Sequence, residues 1–237
     1  MTTVEVLSIA GIVVLVGWAI RNSRRQAKLR AERAKFIAAY PFPAGLRFKL
    51  DQAFPAFSTE QTGMVLEGLR AWFQLNAANP RAKLGMPSKA VDTAWHEFIL
   101  LTKNYADFCD RAFGKFLHHV PHDGNAKAEQ DGLARTYGLG AGLLAGGAAL
   151  GLAGGAGVAM LTGRDLFGLD QRLGMPGGNS YDATDFAALE KRYQQMQSSG
   201  DGGGDSGSSG GGSDSCGDSG CGDGGGGGGC GGGGCGS

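Results

Sequence analysis

The sequence predicts an all-α protein: a small helical domain, an N-terminal transmembrane helix before it, and a disordered Gly-rich tail after it. Three observations predict this. Apolar residues between positions 40 and 123 recur at helical spacing next to capping patterns, with no useful run of period-two alternation. Residues 6–20, VLSIAGIVVLVGWAI, carry no charge. Of the 45 Gly in 237 residues, 22 fall in 200–237 and nine in 138–161, so the foldable part is far smaller than the chain. This excludes a large enzyme with an extensive core, and the absence of a three-residue period excludes a collagen.

Residues 1–20 read as a transmembrane anchor. A span usually needs ~20 residues. The segment reaches that length if Met1–Val4 is included and Glu5 sits near the interface. Trp18 lies where an aromatic belt residue belongs. Residues 21–35 then carry seven Lys or Arg against Glu32. By the positive-inside rule the N-terminus lies outside and the helical domain in the cytoplasm, the expected placement being a bacterial inner membrane. A cleaved signal peptide fits less well, because its charges would precede the apolar stretch. The basic stretch, 21–39, is a good helix former and continues the anchor. Beyond the bilayer itself, its expected partners are anionic lipids near residues 21–35. Nucleic acid is the weaker reading, since no aromatics are interleaved with the charges.

Residues 40–123 have the composition of a folded domain. YPFPAGL is extended, because residues before Pro avoid the helical region. Ser58 and Gln61 form a capping-box pattern opening a helix whose face holds Leu66, Leu69 and Phe73, ended by Asn79-Pro80. Ser88 can cap a second helix with Val91, Trp95, Ile99 and Leu100. A third run carries Tyr105, Phe108, Cys109, Ala112, Phe113 and Phe116 and stops at Pro121.

All four His of the chain, His96, His118, His119 and His122, lie in this domain with Cys109 between them. Asp92, four residues before His96, shares its helix face and can hold one ring nitrogen while freeing the other. His96, Cys109 and one or two of the later His could hold a transition metal such as zinc. The bland alternative makes His96 a core imidazole satisfied by Asp92 and Cys109 a small buried hydrophobe. A Cys–His nucleophile is a third reading, with no evident oxyanion hole to serve it.

The segment MPSKAVDTAWHEFILLTKNYADFCDRAFGKFLHHVPH resembles the signature of the glycine-rich domain-containing protein-like family of plants and bacteria. The resemblance rests on Asp92, Trp95, His96, Ile99, Leu100, Tyr105, Cys109, Phe113, Gly114, Phe116, His118, His119 and Pro121. It covers roughly residues 40–123 and extends to the Gly/Cys-rich tail. Plant members commonly read Trp-His-x-His, where this chain has Phe98. The resemblance implies a fold and no established activity.

Thr136 to Gly163 contains no charge. Gly138, Gly142 and Gly146 recur every four residues, as do Gly147, Gly151 and Gly155, which lets helices approach closely. The expectation is a second membrane segment over 136–163, or a homo-oligomer or protein contact through this glycine zipper; the plainer alternative is a Gly/Ala linker. Residues 181–198 read as an amphipathic helix with Phe186, Leu189, Tyr193 and Met196 on one face. Residues 199–237, with Cys216, Cys221, Cys230 and Cys235, read as a disordered tail. The functional expectation is a membrane-anchored, non-enzymatic binding or scaffolding protein, the alternative being a metal-binding protein centred on the His/Cys cluster.

Overall fold

The structure, a computed structural model, describes residues 3–119, 124–149 and 161–199; within its helices, side chains are described except at 3–14 and 141–149. Among the described residues all regular structure is helical: α1 (Thr3–Ala39), α2 (Ala44–Ala53), α3 (Thr59–Ala78), α4 (Lys89–Leu100), α5 (Thr102–Ala112), α6 (Ala126–Ala149), a 3-10 turn (Asp165–Gly168), α7 (Leu169–Arg172) and α8 (Ala183–Ser198).

Helix α3 is the centre of the main core. Ser58 accepts from the Gln61 backbone at 3.2 Å, and the Gln61 side chain accepts from the Ser58 backbone at 2.7 Å, completing the capping box. Val65, Leu69, Phe73 and Leu75 have no exposed surface. The helix meets α4 at Gly68, where a Cβ would approach Val91 and Leu169 to 2.7 Å, so only Gly permits this separation. Asn79 ends it, as the sequence indicates.

Around α3 pack the end of α1, then α2, α4 and α5. Phe73, Phe98 and Phe108 form an aromatic centre, with Phe73–Phe108 centroids 4.8 Å apart. Arg70 reaches back to the last carbonyls of α1, donating to those of Ile37 and Tyr40, and so satisfies acceptors that the helix end would otherwise leave open. The lead-in after Tyr40 is not extended throughout. It turns into α2, a helix whose only buried residues are Leu46 and Leu50, too few for a visible periodicity. Helix α5 ends at Phe113 rather than near Pro121, because Gly114 takes φ +71° and breaks the helix there.

The core also draws on residues far along the chain. Leu166, Leu169 and Leu173 join it, and Ile37 enters from α1. A second cluster joins α6 and α8 through Ala134, Phe167 and Leu189, flanked by Phe186, Tyr193 and Met196, so the amphipathic face of 181–198 packs inside the same protein. Gly138 serves this contact: a Cβ there would strike the Tyr193 ring. The other zipper glycines lie where no side-chain surroundings are described.

The transmembrane reading requires correction. Among the described residues no helix is long and apolar enough to cross a membrane. The described side chains of α1 begin at Leu15, leaving LVGWAI before Arg21, Arg24 and Arg25, whereas a span needs ~20 apolar residues. The apolar residues 6–14 belong to α1, but their side chains lie outside the described residues. Helix α6 carries Lys127, Glu129, Asp131 and Arg135 in its first half, and residues 150–160 lie outside the described residues. The anchor over 1–20, the second span over 136–163, and the single- or two-pass inner-membrane placement derived from them are therefore not upheld. The tail from 200 onward also lies outside the described residues.

Candidate metal centre

Helical geometry builds half of the site. Asp92 and His96, one turn apart on α4, project from the same face. Helix α4 is fixed at its start by an unusual cap. Ser88 accepts from the Val91 backbone at 3.2 Å and donates to Asp170 at 2.6 Å. Asp170 is 1 % exposed and also accepts from the backbones of Lys89 (2.8 Å), Ala90 (3.2 Å) and Asn179 (2.9 Å). This carboxylate therefore closes the N-terminus of α4 from 82 residues away, where the helix dipole favours negative charge.

The other half comes from the chain after α5. Gly114 turns the backbone, and residues 115–119 run back past α4. Tyr105 pins that segment: its hydroxyl accepts from Trp95 Nε1 at 2.9 Å and donates to the Leu117 carbonyl at 2.5 Å. Burial holds the Tyr105 hydroxyl proton far more tightly than usual, as a relay of this kind needs. His119 then lies with its ring 4.7 Å from Trp95 and 4.2 Å from His96, centroid to centroid.

Among the described residues, Asp92, His96 and His119 form a group able to hold a metal ion, with one ligand atom from each all within 4.8 Å of one another. His119 Nε2 stands 3.0 Å from Asp92 Oδ1, and His96 Nδ1 3.4 Å from Asp92 Oδ2. Two ligands of a tetrahedral zinc lie about 3.3 Å apart, close to the His119–Asp92 separation, whereas the His96 distance is that of a ring nitrogen bonded elsewhere. The Nδ1–H of His96 donates to the Asp92 carbonyl at 2.8 Å, since a carbonyl can only accept. That leaves Nε2 with its lone pair, the arrangement by which a backbone carbonyl orients a metal-binding imidazole. The Asp92 carboxylate itself is directed chiefly to His119.

The remaining candidates fall elsewhere. His118 is exposed with its ring against Phe116, and His122 lies outside the described residues. Cys109 is buried on α5 beside Tyr105 and the Leu117 carbonyl, and burial raises its thiol pKa. It is not part of the group of three. His96 is half exposed and no core imidazole, whereas Cys109 does behave as a small buried hydrophobe. Asp170 and the Tyr105–Leu117 anchor, which hold the site, have no sequence signature, because each acts across a distance in the chain that spacing does not register.

Asp92, His96 and His119 all fall within a segment that one family model matches. Residues 32–146 are similar to the UCP032817-like family. That description names no reaction or ligand, and it carries no mention of the glycine-rich domain that the motif suggested. No curated protein and no solved structure matches the chain.

Proposed function

We propose that this chain is a metal-binding protein in which Asp92, His96 and His119 hold one divalent transition ion, zinc being the natural candidate for two imidazoles and a carboxylate. The convergence of these three side chains supports the reading. His119 is 15 % exposed and fixed by its neighbours, whereas His96 is 50 % exposed, with its ring oriented by the Asp92 carbonyl. Three protein ligands leave a fourth position for water or for a group brought by a partner. The reading asks for binding alone, and a non-enzymatic scaffolding role is served by that fourth position as directly as an enzymatic one.

The test uses the full chain with Cys216, Cys221, Cys230 and Cys235 replaced by Ser, so that tail thiols contribute nothing. Equilibrium dialysis with zinc should give one ion per chain. Affinity should fall at acid pH, because metal and protons compete for the same nitrogens. His96→Ala and His119→Ala should each lose the ion while keeping the helical circular dichroism. No bound zinc, or binding untouched by both replacements, would remove the proposal.

A further inference from the structure

A cleft of about 630 Å³ lies away from the metal centre, between α1, the end of α3 with its following loop, α6 and α8. None of these elements carries Asp92, His96 or His119, so its reading is independent of the metal. Arg30, Arg33, Arg81 and Arg135 all line it, and no Asp or Glu does. Arg30, Arg33 and Arg81 have no carboxylate partner among the described residues. Arg33 directs its guanidinium toward Gly114. Arg135 is steadied by donation to the Lys83 carbonyl at 3.4 Å. Leu139, Tyr193 and Met196 add apolar surface to the same cleft.

Like charges gathered along one concave surface repel one another, and a multivalent anion relieves that cost. Guanidinium forks match phosphate oxygens in pairs. We propose that this cleft binds a phosphorylated ligand carrying two or more phosphate charges, with an apolar or aromatic body against Tyr193 and Met196. The phosphate could belong to a free small molecule or to an anionic lipid headgroup; the chemistry at the arginines is the same.

The test takes the full chain in metal-free, low-salt buffer with two probes: inorganic pyrophosphate by calorimetry, and vesicles of cardiolipin, whose headgroup carries two phosphates, against phosphatidylcholine by sedimentation. One-to-one pyrophosphate binding that weakens with salt supports a free ligand. Selective binding to the cardiolipin vesicles supports a headgroup. In either case Arg81→Gln and Arg135→Gln should each weaken binding about tenfold, the loss of one charge-assisted contact. Lys103→Gln, an exposed charge on α5 outside the cleft, should change nothing. The proposal is overturned if neither probe binds, or if Lys103→Gln weakens binding as much as Arg81→Gln does.

Discussion

Replacing Asp170 tests how the site is held. Its carboxylate is 1 % exposed and receives four hydrogen bonds, two on each oxygen: Ser88 Oγ and Ala90 N on Oδ1, Lys89 N and Asn179 N on Oδ2. Hydrogen bonds to a charged group contribute about 1.5–3 kcal/mol each, but four on one carboxylate are not additive and are offset by its desolvation. Asp170→Ala leaves three backbone N–H groups without this acceptor, at about 1 kcal/mol or more each, plus a small cavity. The expected cost is about 3–5 kcal/mol, or roughly 6–20 °C in Tm for a protein of this size. Asp170→Asn keeps one acceptor oxygen and turns an NH2 toward the other pair of donors, so it should cost about half as much. Urea unfolding of the full chain, followed by circular dichroism, measures both. A cost below 1 kcal/mol for the Ala variant, or equal costs for the two, would refute the capping argument.

Three further outcomes follow from the same geometry. Tyr105→Phe strands the Trp95 N–H and the Leu117 carbonyl and should destabilise by about 2 kcal/mol. Because Leu117 sits two residues before His119, the same variant should also weaken zinc affinity in the dialysis assay. The folded protein holds the protons of Cys109 and Tyr105 above their usual pKa by burial, and that of Tyr181 up to about 12, again chiefly by burial. Their contribution to stability is complete below the unfolded values and is lost as pH rises toward the folded ones. Urea midpoints should therefore fall from about pH 9 upward, and Cys109→Ala should delay the onset to about pH 10. Flat midpoints between pH 8 and 11 would contradict this.

Local signals were legible in the sequence and distant ones were not. Ser58 with Gln61, Asn79 and Ser88 mark helix ends in the positions where they cap them, because a cap is a contact within four residues. The i, i+4 relation of Asp92 and His96 is likewise readable from helix geometry. The choice of His119 over His118 is not: it depends on how the chain returns to α4 after Gly114, which sets His119 against Trp95 and Asp92. Cys109 looks like a ligand by composition, yet its place on the buried face of α5 puts it next to Tyr105 instead. Helix α2 escaped the pattern because Leu46 and Leu50 alone face the core while Phe48 points outward. Gly138 illustrates the ambiguity of small residues: the spacing that suits helices in a bilayer here makes room for Tyr193.

The most direct test of the metal centre is zinc K-edge absorption on the full chain with the four tail cysteines replaced by Ser. The account predicts a shell of nitrogen and oxygen alone at about 2.0–2.1 Å, with outer scattering from two imidazoles. It further predicts that Asp92→Asn alters this shell. A sulfur neighbour at about 2.3 Å would assign the ion to Cys109. A spectrum of hydrated zinc without imidazole would mean that Asp92, His96 and His119 converge for structural reasons only.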